Sequence, residues 1–227
     1  MEYKIEGGSF PIVVCTLKKG DTMKDESGAM AFMTSNIKMD TNTGGGLLKG
    51  LGRALSGDSL FLSFYTAQSD NQKIAFAACT PGKIIPIRLD GTNTVIGQKN
   101  AFLASEDGVD IDIYFKKKLG AGLFGGEGFI LQKFTGTGML FLEIDGEVIE
   151  HNLAPGEKLL VEQGHIAAME ESVDFDIERI KGAKNMLFGG EGLFLTTLTG
   201  PGKVWIQTMP ISKLAEAIIP FIPQNND

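Results

Sequence analysis

Histidine, cysteine and long apolar runs are scarce in this chain of 227 residues, and each scarcity removes a class of function. The two cysteines, Cys15 and Cys79, stand far apart without CxxC or metal-type spacing, so neither a disulfide framework nor a zinc site is indicated. The two histidines, His151 and His165, flank Pro155-Gly156 with no HxH, HExxH or carboxylate cluster beside them. Cupin-type barrel enzymes need a closely spaced histidine pair with a carboxylate, and this chain has no such pair. No GxSxG elbow surrounds a serine, and neither cysteine lies in a nucleophile motif. The glycines around Gly50-Leu-Gly52 are not followed by GK[ST], so a phosphate-cradling loop is lacking. No run approaches the roughly 18 apolar residues of a membrane-spanning helix. Met1 to Gly8 carries Glu2, Lys4 and Glu6 where a signal peptide has an apolar core, and a reducing cytoplasm is the expected location.

Positive charge is also short. Lysine and arginine number 21 against 28 acidic residues, a net charge of -7 that opposes general attraction to phosphate backbones. Nucleic acid is therefore not an expected partner. The run Lys116, Lys117 and Lys118 is the one obvious basic stretch, and it reads as a solvated face.

What the chain has in abundance is itself. Leu123-Phe-Gly-Gly-Glu-Gly-Phe-Ile-Leu131 returns 64 positions later as Leu187-Phe-Gly-Gly-Glu-Gly-Leu-Phe-Leu195. The same offset pairs Leu89 with Leu153, Glu106 with Glu170, Asp112 with Asp176 and Gly138 with Gly202. A third, more diverged copy lies upstream, where Leu17, Gly20, Glu26, Gly28, Met33 and Asp40 each stand 136 positions before a matching residue. The units run from about 9 to 80, 81 to 144 and 145 to 208 within a single domain of residues 1–227.

Inside a unit the period is two. Val109, Ile111, Ile113 and Phe115 alternate with Asp110, Asp112 and Tyr114, which puts one face in a core and the other in water. Thr135-Gly-Thr-Gly138 and Thr199-Gly-Pro-Gly202 each separate two apolar runs and read as hairpins, and Asp145-Gly146 carries a turn signature. A unit of about 64 residues buries too little surface to be stable alone, whereas three can share a core. The expected fold is all-β, with three tandem repeats forming a pseudo-threefold barrel or prism that closes on itself and removes exposed edges.

Two segments break the β rhythm. Gly44 to Gly57 sets Leu47, Leu48, Leu51 and Leu55 at helix-like spacing among glycines, and reads as a cap over an open barrel end or as a contact with a membrane surface. Near the C-terminus a short helix is expected over about 212–219, N-capped by Ser212 and ended by Pro220, with Leu214, Ala215, Ile218 and Ile219 as a packing stripe.

The candidate site is a repeated acidic position. Asp58, Glu127 and Glu191 stand at one equivalent place, beside Gly57, Gly126, Gly128, Gly190 and Gly192. Such carboxylates either converge on a polar ligand or cation, or accept hydrogen bonds from a neighbouring turn and fix the strand. Asp40, Asp112 and Asp176 form a second triplet, read as a solvated face.

The Gly-Glu-Gly signature, the stretch Arg53-Ala-Leu-Ser-Gly-Asp-Ser-Leu-Phe61 and the C-terminal Ile-Pro tail together resemble the bacterial relatives of the altered inheritance of mitochondria protein, a domain of unknown function. The resemblance covers nearly the whole chain. It implies a fold like that of the tryptophan RNA-binding attenuation protein, three units per polypeptide and a homotrimer. The mitochondrial relatives are associated with inner-membrane organisation, which by analogy implies a scaffolding role. No catalytic residue, metal or cofactor is indicated. The expected function is that of a noncatalytic oligomeric binding or scaffolding protein. The alternatives are a regulator that senses a small molecule between repeats or subunits, and an organiser at a membrane surface.

Overall fold

The computed structural model describes residues 1–26, 28–42, 62–117, 129–179 and 194–222. An N-terminal strand β1 (Glu2–Glu6) precedes three stretches of strands. The first holds β2 (Ile12–Leu17), β3 (Thr22–Glu26), β4 (Met30–Met33), β5 (Ile37–Asn42), β6 (Leu62–Ala67) and β7 (Gln72–Ala77). The second holds β8 (Gly82–Asp90), β9 (Val95–Gln98), β10 (Phe102–Glu106), β11 (Val109–Lys117) and the 17-residue β12 (Phe129–Asp145). The third holds β13 (Val148–Leu153), β14 (Lys158–Glu162), β15 (Ile166–Glu170), β16 (Asp174–Arg179), β17 (Phe194–Thr199) and β18 (Gly202–Gln207). One helix, α1 (Ile211–Ile218), follows. The all-β class with a short C-terminal helix is what the sequence leads one to expect.

Pairing between these strands is antiparallel and follows one scheme. In the first stretch β2 and β4 flank β7, while β3 and β5 flank β6. In the third, β13 and β15 flank β18, while β14 and β16 flank β17. In the second, β12 serves both ladders, its first half lying between β9 and β11 and its second between β8 and β10. The stretches are joined edge to edge, β3 to β10 and β9 to β15. A closed barrel is not found among the described residues, where β4 and β14 each pair on one side only.

Period two places the core. Val109 and Ile111 are buried while Asp110 and Asp112 point to water, and the same alternation puts Val173 inside and Asp174 and Asp176 outside. Three apolar clusters result. The first joins Val13, Cys15, Ile74 and Phe76 to Met23 and Tyr65, so both ladders of the first stretch contribute. The second centres on Phe134, Leu140 and Leu142, and the third on Leu131, Val161, Leu198 and Val204.

The two glycine-rich segments read as hairpins are corners instead. Residues 135–138 lie inside the continuous β12, which passes there from one ladder to the other. β17 and β18 likewise pair with other strands and not with each other. The physical reason lies in the backbone. Gly136 has φ +88, and a Cβ there would stand 2.3 Å from the Gly108 carbonyl oxygen. These glycines therefore let a strand bend while a neighbouring turn approaches closely. Asp145-Gly146 does make a turn, with Gly146 at φ +78, but the strands on either side find different partners.

The helix also differs from expectation at its start. Pro210 is the capping residue, without a side-chain bond, and Ser212 lies within the first turn. The amide of Ile211 is instead satisfied from a distance by the Asp145 carboxylate, at 2.8 Å. None of the helix residues is buried, and Ile218 and Ile219 are exposed, so the stripe does not pack fully on its own chain.

Candidate functional site

Asp58, Glu127 and Glu191, with Gly57, Gly126, Gly128, Gly190 and Gly192, lie outside the described residues, as do Lys118 and the segment 44–57. The second acidic triplet is described. Asp40 pairs with Lys38 at 2.9 Å, and Asp112 and Asp176 are exposed. Among the described residues no group of three or more His, Cys, Asp or Glu side chains is arranged to hold a metal ion. His151 is exposed on β13, and Nδ1 of His165 lies 2.8 Å from the Gln207 carbonyl oxygen, a structural contact.

A cleft of about 580 Å³ lies where the first stretch meets the second. Its polar lining includes Glu26, Cys79, Thr80, Lys99, Glu143 and Asp145. A second depression of about 410 Å³ lies on the other side of Thr80 and Ile211 and is mainly apolar, with Met209 and Leu214 in its wall. These residues come together because β7 ends at Ala77 and the following segment runs beside the end of β12.

The chemistry of the cleft is that of a built joint. Glu143 accepts the backbone N–H of Cys79 at 2.7 Å and faces the Cys79 thiol at 3.6 Å. Asp145 accepts the Thr80 hydroxyl as well as the Ile211 amide. Burial, and then the nearby charge of Glu143, pushes the Cys79 thiol up to about 11. A thiol so placed is protonated at neutral pH and is a weak nucleophile. Burial pushes buried Cys15 to about 12. Glu143 is also raised, chiefly by burial, with the Cys79 amide and thiol pulling the other way.

The same kind of contact occurs elsewhere along the chain. Gln207, 64 positions after Glu143, accepts the amide of Asp145 at 3.2 Å and donates to the Gly164 carbonyl at 2.8 Å. At the end of β10, Glu106 accepts the amide of Met139 at 2.6 Å; at the end of β15, Glu170 accepts that of Lys203 at 2.9 Å; just after β4, the Thr34 hydroxyl accepts that of Lys73 at 3.1 Å. Asp21, Asn93 and Glu157 each accept the backbone amide three residues before them. The acidic side chains here complete backbone hydrogen bonding where strands end. Sequence reasoning passed over Glu143, although the 64-residue register that pairs it with Gln207 was a signal for it.

One buried carboxylate stands apart. Asp25, on β3 opposite Ser63 of β6, is fully buried. Burial pushes its pKa up to about 6, partly offset by the Tyr65 hydroxyl and the Met30 and Ala29 amides. Gln132 and Thr196 are likewise buried polar groups in the β12 and β17 ladders, and Gln132 donates to Glu26 at 2.9 Å.

Comparison with known proteins agrees with this architecture. A solved crystal structure of a Streptococcus pyogenes protein superposes with a TM-score of 0.78 at 24% identity, covering 97% of this chain and 99% of that one, which shows the fold. An uncharacterised protein of Streptococcus pyogenes is 28% identical over 226 residues, covering 96% of this chain and 89% of the relative. Residues 3–209 match the family model described as Mitochondrial biogenesis AIM24. The chain belongs to that family.

Proposed function

We propose that the chain is a noncatalytic, self-associating β scaffold, built from three related units and acting in the cytoplasm. The observation that carries this reading is the open sheet. Strands paired on one side only among the described residues, β4 and β14 among them, present backbone groups that seek a partner. Two further features support it. In the cleft Glu143 and Asp145 are engaged with backbone amides and Glu26 with the Gln132 side chain, and both thiols are held protonated, which leaves the described residues without an activated nucleophile. The net charge of -7 argues against an RNA ligand. Family resemblance implies a trimer. Light scattering on the purified chain is the test: a mass of three chains is expected at micromolar concentration, and a strictly monomeric species sinks the reading.

A second reading rests on the cleft of about 580 Å³ between the first and second stretches, which is large enough for a small molecule. A ligand-sensing regulator would be stabilised by about 2.7 kcal/mol at a hundredfold excess of ligand over its Kd. A thermal-shift screen of metabolites that moves no midpoint removes this reading.

A further inference from the structure

β4 and β14 are the strands at which the joint between stretches is missing; β1, β5, β8, β11, β13 and β16 are also one-sided among the described residues, but none has a counterpart in such a joint. β3 carries β10 on its outer edge, with Ser105 opposite Lys24 and Glu106 opposite Met23. β9 carries β15 in the same way, with Met169 opposite Ile96 and Ala168 opposite Gly97. In the third stretch β14 occupies the corresponding place, because it pairs with β17 as β3 pairs with β6 and β9 with β12. β4 corresponds to β10 and β15 in turn, lying on β7 as they lie on β12 and β18. The likeness extends to a register shift between Met30 and Phe32, matched by shifts between Phe102 and Ala104 and between Ile166 and Ala168. Yet neither β14 nor β4 has a strand on its outer edge among the described residues.

Burial shows what this omission costs. Leu160 stands where Lys24 and Ile96 stand; those are 6% and 0% exposed, and Leu160 is 61% exposed. Phe32 stands where Ala104 and Ala168 stand; those are 0% and 1% exposed, and Phe32 is 49% exposed. Large apolar side chains are uncovered at the two places where the scheme lacks a strand. The two edges are complementary by construction, since the chain already makes the joint between them twice.

We propose that β14 of one copy of the chain pairs antiparallel with β4 of a second copy, repeating between chains the joint that links β3 to β10 and β9 to β15. The internal joints set the register: Met33 opposite Leu160, Phe32 opposite Val161 and Thr34 opposite Leu159. Closure within one chain is not what the described strands form, because β4 belongs to the sheet that begins with β1 and β14 to a separate three-stranded sheet. The contact is head-to-tail, so each copy uses both edges and the assembly is a ring or a filament. This inference rests on the self-associating reading and supplies its interface.

Engineered disulfides test the register, because residues directly opposite on antiparallel strands have Cβ atoms about 4.5–5.5 Å apart. In a Cys79→Ser background, Met33→Cys and Leu160→Cys are made in separate chains and co-expressed, and also combined in one chain. The expected result on oxidation is a covalent dimer from the co-expressed pair, none from either variant alone, and a ladder of multimers from the double variant. No dimer from the pair, a dimer from one variant alone, or a double variant that cross-links within a single chain each overturns the proposal. Light scattering of Leu160→Asp separates the two levels, since its exposed position leaves the fold of the single chain intact. Loss of the assembly to single chains is expected. An assembled wild type that Leu160→Asp leaves unchanged overturns the edge pairing and spares self-association, whereas a monomeric wild type overturns both.

Discussion

The carboxylate of Glu143 closes the gap between two stretches of strands by accepting the Cys79 amide at 2.7 Å. Gln207 makes the corresponding bond to Asp145 without a charge, so the joint needs an acceptor rather than an anion. Glu143→Gln is expected to match or exceed the wild type in stability at neutral pH, because burial disfavours the charged form in the folded state. Glu143→Ala removes the acceptor and is expected to cost about 1 kcal/mol. Urea denaturation of the two variants at pH 7 checks both statements.

Cys79 is exposed but poorly ionised. Its alkylation rate is expected to rise with pH towards about 11, well above the rise of an ordinary thiol. Glu143→Gln removes the neighbouring negative charge, and the profile is expected to shift to lower pH. Rates of reaction with iodoacetamide across a pH series measure both, and an unshifted profile would show that Glu143 does not govern the thiol.

Asp25 carries a pH dependence of definite sign. Its folded pKa of about 6 is raised above the ordinary carboxyl value of 3.8. Between these two values the folded chain holds a proton that the unfolded chain has released, so stability from this group falls as pH rises from about 4 to about 6. Above that window the penalty is constant, on the order of 2 to 3 kcal/mol. Asp25→Asn is expected to raise stability at pH 7 and to flatten the curve between pH 4 and 6. Denaturation midpoints at several pH values provide the measurement, and an equally sloped curve in the variant would refute the assignment.

Gly136→Ala is expected to destabilise the chain by about 2 to 4 kcal/mol. The added methyl meets the Gly108 carbonyl oxygen, and the positive φ strains any side chain. Gly156, at φ +77 with open space around its Cβ position, separates the two effects: Gly156→Ala is expected to lose only the smaller, conformational part. Thermal denaturation of both variants tests the difference.

Period-two alternation made the strands and their buried faces legible, as Val109, Ile111 and Val173 show, because side-chain direction in a strand is set locally. Which strand pairs with which was not legible at Thr135 to Gly138. A glycine with positive φ serves a reversing turn and a bent strand equally, and the choice between them is made by Gly108, distant in sequence. The cap of α1 escaped for the same reason, since Asp145 reaches Ile211 from 66 positions away. The barrel expectation assumed that three units must close, whereas the described strands leave β4 and β14 one-sided. The candidate carboxylates Asp58, Glu127 and Glu191 lie outside the described residues. The 64-residue repeat also pairs Glu106 with Glu170 but does not reveal their use, since the amides they bind at strand ends come from Met139 and Lys203, 33 positions on.

The unbroken course of β12 has a consequence for how the molecule opens. This strand is hydrogen-bonded along its length to β8, β9, β10 and β11, and through β9 and β10 it reaches the neighbouring stretches. The first and last stretches can each loosen without cutting it, but the middle one cannot loosen in part. Its amides should therefore be the last to exchange with solvent deuterium, releasing together at the free energy of global unfolding, while β1 and β13 at the margins exchange through local fraying.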